Sequence, residues 1–485
     1  MPHSTAADVY DLRIVVIGAG MGGLGTALAF AKKGFKNISV YETASNLGFV
    51  GAGIQMPPNV MRVLDRLGVA AEIEAEATDV QATSIRQGST NEELAHVSMP
   101  DIREKYGHPH LTGHRSNLAG SLYNGCLKES AITFHFSTSL VNITSFSPKP
   151  TLVFQNRTKD EEFTIECDIL LSADGIKSPT RSLLLKSSHG LTQTEEEDTG
   201  QAAYRIMLTR EQLSPFPGLI SLLDSNTVVR WVGERRHIIA YPVSNHNIYN
   251  ISTAHPDTNF ASATSATYTT RGSKSQMLSV FETFCPLVQD MLNLVPDGEV
   301  CEWKLRIHRP LPTWVHGSVA LVGDACHATL PHLSQGAAMA IEDGAVLAEV
   351  VSRIPNDRIN DGETVGKALK VYELLRKPHC TALVDLATHS GRVLHLGEGK
   401  AKEERDKAFK DNGKSGSVPD KWASPDVQKM IYANDCVKEA RERFDELFAG
   451  SVGVMSNKEY YRGQKGAKGT DHAGTRTQNL YQLEI

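Results

Sequence analysis

Residues 13–34 read RIVVIGAGMGGLGTALAFAKKG, and this stretch decides the fold. The run RIVVI (13–17) is almost wholly apolar and rich in β-branched residues, the pattern of a strand buried on both faces of a parallel sheet. A glycine-rich turn follows, then an Ala- and Leu-rich segment, 21–33, with apolar residues at helical spacing. Gly34 stands where such a helix stops. Residues 37–42, NISVYE, read as a second strand, so the whole is one βαβ unit. In that context the glycine spacing has a physical meaning. Gly18 permits the tight turn, Gly20 lets backbone approach a pyrophosphate, and Gly23 lets helix and strand pack closely. The helix N-terminus offers N–H donors and positive potential to that pyrophosphate. Glu42, ending the second strand, is placed to accept from a ribose hydroxyl pair. The unit is expected to bind a dinucleotide, NAD or FAD.

The rest of the chain frames that unit. Its 485 residues allow about three domain equivalents. A hydrophobic content of 40%, a charged content of 22% and a net charge of −6 exclude a disordered chain and a general nucleic-acid binder. Seven Cys are spread widely with no CxxC pair. That argues against a disulfide framework or a Cys-based zinc site, and for buried free thiols in a reducing compartment. The first residues, MPHSTAADVYDLR, lack a basic region followed by an apolar run, so no secretory signal is expected. The longest low-charge stretch, 14–31, is broken by glycines and predicts no transmembrane segment. The expected location is cytoplasmic.

Further elements follow from pattern. Helices are expected at 57–68, 116–129, 334–354 and within 365–396, and strands across 132–172, 201–252 and 318–323. The acidic stretch 187–200 reads as a surface excursion, 253–276 as a loop, 397–425 as a mobile excursion and 451–485 as a mobile tail. Two of these strands lead into further motifs. DILLSA runs into Asp174-Gly175, continuing DGIKSPTR, and SVALV runs into GDACHATLPHLSQGAAMAIEDG, which begins at Gly323-Asp324. Gly397-Glu398-Gly399 lacks a third glycine and follows no strand, so no second nucleotide domain is expected.

These three motifs, in this order, resemble the single-component FAD-dependent aromatic hydroxylases, the family around para-hydroxybenzoate hydroxylase, over about residues 10–395. The third motif is most similar to the branch holding salicylate hydroxylase, 6-hydroxynicotinate monooxygenase and related fungal monooxygenases. The resemblance implies an α/β fold, with a Rossmann-type FAD-binding domain, an interleaved sheet-based substrate domain and C-terminal helices. The FAD domain would be assembled from 10–85, 110–185 and 300–355. The substrate domain would take 86–109 and 186–299, and 356–450 would form a helical region. The implied activity is that of an FAD-dependent monooxygenase. NAD(P)H reduces the flavin, dioxygen adds to give a flavin hydroperoxide, and its distal oxygen passes to an electron-rich aromatic ring, phenolic and with or without a carboxylate. The implied partners are thus a small aromatic substrate, dioxygen and NAD(P)H.

Residue by residue, the resemblance implies FAD contacts at Gly18, Gly20, Gly23, Glu42, Ala52, Gly53, Arg115, Asp174, Asp324, Gly336 and Ala337. Asp324, past an apolar strand, suits a ribityl hydroxyl because a carboxylate only accepts. Gly336 and Ala337 open a helix whose positive end faces the flavin. Gly51, Ala52 and Gly53 let a loop lie against the ring. Arg181 belongs to the DG motif, which in the family reaches both FAD and the nicotinamide nucleotide; a surface salt bridge is the competing reading. Most relatives carry Arg after the ribose acid, whereas this chain has Thr43 and Ala44.

For the substrate side, Arg205 and Tyr241 lie on predicted strands expected to roof the flavin, where Arg would stabilise a phenolate. His332 would act near the ring as a proton acceptor tuned to neutral pH. A surface Arg, a packed Tyr and a structural His are the competing readings. His327, Glu342 and Asp343 read as structural, and His327 and His332 do not share a helical face, so no metal site is expected. Other readings of the chain are the same flavin chemistry used for epoxidation or oxidative dearomatisation, a flavin-free NAD dehydrogenase, and a non-catalytic binding protein on this scaffold.

Overall fold

A computed structural model of the chain describes residues 8–48, 52–191, 196–258, 269–359, 361–411 and 424–450. Gly51 and the tail 451–485, both singled out above, lie outside the described residues.

The RIVVI run forms the strand Arg13–Ile17, central in a six-stranded sheet. It pairs in parallel with Asn37–Tyr41 on one side and Ile169–Ser172 on the other. Ile132–His135 extends the sheet beyond Asn37–Tyr41, and Val319–Leu321 extends it beyond Ile169–Ser172, again in parallel. Val315–His316 closes that edge antiparallel. The strand Ile14–Ile17 is buried throughout, as a parallel strand covered on both faces must be. The glycine turn, the DG motif and the GD motif therefore emerge side by side, from the C-terminal ends of three adjacent parallel strands. In open α/β sheets that end is where ligands bind.

Two helices cover one face in close contact. Met21–Lys33 packs on Gly336–Val351. A Cβ at Gly22 would lie 3.2 Å from Ala340 Cβ, and one at Gly344 would lie 2.5 Å from Thr26 Oγ1. The long helix Thr364–Leu394 and Cys436–Gly450 pack against Gly336–Val351 in turn.

A second, eight-stranded sheet has the order Thr269–Arg271, Cys301–His308, Glu196–Thr209, Ile248–Pro256, Arg236–Val243, Thr227–Gly233, Ala82–Gln87, Glu93–Ser98. It is antiparallel except where Thr227–Gly233 meets Ala82–Gln87. Tyr204, Ile206, Leu208, Trp231 and Ile251 on one face form a core with the helices Pro217–Leu223, Lys274–Val280 and Pro286–Asn293. Ala203, Tyr241, Val243 and Leu305 on the other face join the core of the nucleotide-binding sheet. The two sheets thus enclose the space between them.

Several expectations change at this level. The strand Ala82–Gln87 belongs wholly to the large sheet, so a domain boundary at 85/86 would cut it. Cys301–His308 also belongs to the large sheet rather than to the nucleotide-binding one. The acidic stretch is no excursion at its end: Glu196–Thr209 pairs with Cys301–His308, setting Asp198 opposite Arg306 at 2.5 Å, because a basic strand lies there to receive it. The segment 397–425 contains the helix Lys400–Lys410. Phe409 buries against Ile85, Leu94 and Val232, and Arg405 donates to the carbonyls of Val393 and Leu394. Charge along that helix hid its two anchors. Six of the seven cysteines are buried and Cys301 is exposed; all are free. Among the described residues, no helix is long and apolar enough to cross a membrane.

Candidate active site

The glycine turn has the geometry its spacing implies. Gly18 adopts φ +90°, and a Cβ there would sit 2.6 Å from the Ala173 carbonyl oxygen. A Cβ at Gly23 would fall onto the Gly18 carbonyl oxygen. Gly20 is different: among the described residues nothing lies within 4 Å of where its Cβ would be, and its φ of −74° suits any residue. Gly20 caps Met21–Lys33 with no side-chain hydrogen bond, so the helix presents bare N–H donors to that open space. Glu42 braces the turn, accepting from Ala19 N and Ala44 N at 2.8 Å each.

Asp174 Oδ2 accepts from Thr180 N at 3.2 Å, while its buried Oδ1 has no partner among the described residues. A buried carboxylate oxygen without a donor is costly unless a ligand supplies one. Arg181 is not a surface residue. It is 3% exposed and donates to Ala325 O at 3.1 Å and Ile176 O at 2.7 Å, clamping the DG loop to the GD loop. Asp324 is exposed at the first position of Asp324–His327, beside the parallel strand ends. Gly336–Val351 likewise starts without a side-chain cap, at Gln335, leaving Gly336 and Ala337 half-buried at an open helix N-terminus. Two open helix ends, an orphaned carboxylate oxygen and an uncovered glycine turn fit a dinucleotide with anionic phosphates and donor hydroxyls. Asp324→Ala is expected to weaken FAD retention with little change in the unfolding midpoint; full flavin content by absorbance after gel filtration would refute that placement.

Beneath this surface lies a buried polar network. Asp343 Oδ2 accepts from Gly323 N at 3.0 Å and pairs with His327 Nε2 at 2.6 Å, while Oδ1 accepts from Arg376 Nε at 2.9 Å. Arg376 also donates to Glu342 at 2.7 Å, and Glu342 accepts from Asn59 at 2.8 Å. Cys326, His327 and Asp343 come within ligand range of one another. Asp343 is already engaged by two donors and a guanidinium, so an added cation would face Arg376. His327 and Asp343 hold the GDACH turn to its helix, while Glu342 ties that helix to Asn59 and Arg376.

Gly53 begins the strand Gly53–Met56, paired with Leu111–His114, and Arg115 N donates to Ala52 O at 2.8 Å. Gly53 N donates to Asn250 Oδ1 at 2.6 Å, and a Cβ at Gly53 would overlap that side chain. Asn250 is 2% exposed, so it ties the loop expected against the flavin to the large sheet. Sequence reading meets Asn250 only as part of an N-x-S/T sequon.

The roof is built by register. Arg205 sits opposite Ser252, which sits opposite Ile239; Met207 sits opposite Asn250, which sits opposite Tyr241. Arg205, Met207, Ile239, Ser252 and Trp303 are half-buried, so this face is incompletely covered by protein. Arg205 lies over the Trp303 ring at 4.7 Å. Burial, with Arg115 nearby, lowers Arg205 to about 10, and Tyr241 opposes that shift. Burial raises the Tyr241 hydroxyl, and Arg205 opposes it. Arg115 itself is exposed at the first turn of Arg115–Leu127, within electrostatic reach of Arg205.

His332, in the turn Pro331–Leu333, is 3% exposed and neither ring nitrogen has a partner among the described residues. Burial, then His395 and Arg230, lowers it to about 3. At that value the ring is neutral at pH 7, so burial works against the proton acceptor tuned to neutral pH that its residue type suggests. His237, which sequence reading passed over, shares the roof face with Ile239 and Tyr241, its ring 5.2 Å from that of His332. Its only sequence signal is the alternation of HIIAYPV.

Fold and site together define an FAD-binding enzyme of the two-sheet hydroxylase architecture. The chain belongs to the family described as FAD binding domain, which matches residues 11–387. It is 32% identical to 6-hydroxynicotinate 3-monooxygenase of Bordetella bronchiseptica, over 70% of this chain and 82% of that protein. It is 29% identical to the FAD-dependent monooxygenase ntnJ of a Nectria species, over 93% of this chain and 100% of that one. A solved salicylate hydroxylase substrate complex shares the fold, with a TM-score of 0.71 at 23% identity, covering 89% of this chain and 98% of that one. The protein is an FAD-dependent monooxygenase of the aromatic hydroxylase type.

Proposed function

We propose that this monooxygenase uses NAD(P)H and dioxygen to hydroxylate an electron-rich aromatic ring bearing a hydroxyl, with or without a carboxylate. The observation that carries the reading is Arg205: a guanidinium on the uncovered roof face, resting on Trp303, with no hydrogen-bond acceptor among the described residues. When bound, FAD supplies the redox chemistry that draws on NAD(P)H and dioxygen. Glu42, Asp174 and Asp324 would hold its hydroxyls, and the helix ends at Gly20 and Gly336 its phosphates and ring. The chain's own work is substrate handling. Arg205 offers charge-assisted hydrogen bonds to a phenolate or carboxylate oxygen, which keeps electron density on the ring. Trp303 and Tyr241 supply flat apolar walls, and His332 offers one donor and one acceptor to the ring substituents. The two sheets keep bulk water from the reacting centre.

The test is a panel of phenols and hydroxylated aromatic acids, scored by substrate-stimulated NAD(P)H oxidation and by product. At least one is expected to stimulate turnover; stimulation by none would refute the reading. Arg205→Ala is expected to keep FAD and to raise the barrier for the stimulating substrate by about 2–3 kcal/mol in kcat/KM. Unchanged kcat/KM would remove Arg205 from the site.

A further inference from the structure

Three imidazoles from three separate elements meet at one edge of the site. His237 comes from Arg236–Val243, His332 from the turn Pro331–Leu333, and His395 from the C-terminal end of Thr364–Leu394. His237 Nδ1 and His395 Nε2 are 2.7 Å apart, one donating to the other. The His237 ring lies 5.2 Å from His332 and 4.9 Å from His395, and His332 and His395 are 6.0 Å apart. Backbone contact reinforces the arrangement: Arg235 N donates to His395 O at 2.9 Å. The long helix approaches closely because Gly391 faces His332, where a Cβ would come within 2.7 Å of the ring. His395 thus stands behind His237, on the helical region whose Phe409 also packs on Val232 of the large sheet.

All three rings are held neutral. Burial is the leading cause in each case, lowering His395 to about 4 and His237 well below its ordinary value. A neutral imidazole has one N–H and one bare nitrogen, so a bond between two of them forms only with complementary tautomers. Either ring can donate, so the tautomer of one sets that of the other. The bond also restrains the plane of the His237 ring, which packs edge-on against His332.

We propose that His395 is a positioning residue: its hydrogen bond couples the tautomers of the two rings and holds the His237 ring in one orientation, so that His237 and His332 present fixed hydrogen-bonding nitrogens to the substituents of an aromatic substrate. The role of the pair rests on the hydroxylase reading above; the locking of His237 does not.

Histidine nitrogen NMR of the FAD-loaded protein tests the lock directly. A nitrogen–nitrogen scalar coupling across the His237 Nδ1–His395 Nε2 bond is expected in the natural protein. The His237 Nδ1 signal is expected to shift in His395→Leu and to stay near its natural position in His395→Gln, whose side-chain amide reaches toward the Nε2 position. No coupling in the natural protein, or an unchanged His237 Nδ1 signal in His395→Leu, would overturn the proposal. Kinetics test the consequence, with salicylate, 3-hydroxybenzoate and 6-hydroxynicotinate as probes. For a probe that stimulates the natural protein, His395→Leu is expected to raise KM about tenfold with kcat within about twofold, and His395→Gln to restore KM to within about threefold. Unchanged KM in a folded Leu variant overturns the positioning role. Should the Leu variant not fold, His395→Asn replaces it: its amide falls short of Nε2, so equal behaviour of Asn and Gln overturns the proposal. Failure of the whole phenol panel on the natural protein, these probes included, refutes the hydroxylase reading and leaves the NMR result to decide the lock.

Discussion

Gly23→Ala is expected to yield a protein that carries no FAD and unfolds at a lower midpoint. The added Cβ would coincide with the Gly18 carbonyl oxygen, a backbone atom that no rotamer change can move. Either the strand Arg13–Ile17 or the helix Met21–Lys33 must shift, and both belong to the main core. Overpacking of a rigid contact costs about 1–3 kcal/mol, and a backbone clash lies at the upper end of that range. Gly20→Ala separates the two effects. Its Cβ meets no atom of the described residues within 4 Å, and its backbone is compatible with Ala, so the apoprotein should unfold as the natural one does. The methyl would instead occupy the approach of the pyrophosphate, so FAD should be lost. Flavin absorbance relative to protein, with thermal unfolding of both apoproteins, reads the pair. Full flavin in Gly23→Ala, or a lowered apoprotein midpoint in Gly20→Ala, would refute this account of the turn.

Arg376→Leu is expected to cost about 3–5 kcal/mol of stability, because it removes one partner from a buried charge network and strands two carboxylates. Arg376 has only 2% of its side chain exposed, Glu342 1% and Asp343 none. The pH dependence should be two-sided. Burial opposes the Asp343 charge, but His327 and Arg376 together hold its pKa below the ordinary value. Its contribution is therefore present above the ordinary carboxylate pKa and lost as pH falls through the lowered one. His327 is the reverse case. Burial again opposes the charge, yet neighbouring Cys380, Cys326 and Asp343 raise its pKa well above 6.5. Its contribution is complete below 6.5 and lost as pH rises through the raised value. Stability should accordingly be flat across neutral pH and fall at both ends. In Arg376→Leu the acid limb should move to higher pH, since Asp343 keeps only His327 and the Gly323 N–H. Urea unfolding over a pH series measures both features; an unmoved acid limb would show that Arg376 does not hold Asp343 ionised.

The structure also explains why some stretches of sequence mislead. A run such as KAKEERDKAFK reads as solvated because charge dominates it, yet one Phe and one Arg suffice to dock it. The acidic end of 187–200 reads as an excursion until the basic strand across the ladder is known. A surface salt bridge competes as a reading of Arg181 because nothing local shows the Ile176 and Ala325 carbonyls that bury it.

By itself, the sequence determined the dinucleotide turn, its strand and helix, and the family through three motifs in fixed order. These are local features: glycine spacing, a β-branched run and a strand-end acid act over a few residues, and backbone sterics leave them one solution. The shared face of the large sheet was decided by tertiary structure. Alternation along QAAYRIML and HIIAYPV says that Arg205 and Tyr241 each face one side or the other of a sheet. Only the ladder pairing through Ser252 and Asn250 brings them to the same face. His395 joins His237 across a separation of 158 residues. Such contacts arise from long-range packing of a sheet, a turn and a helix end, and no local pattern encodes them.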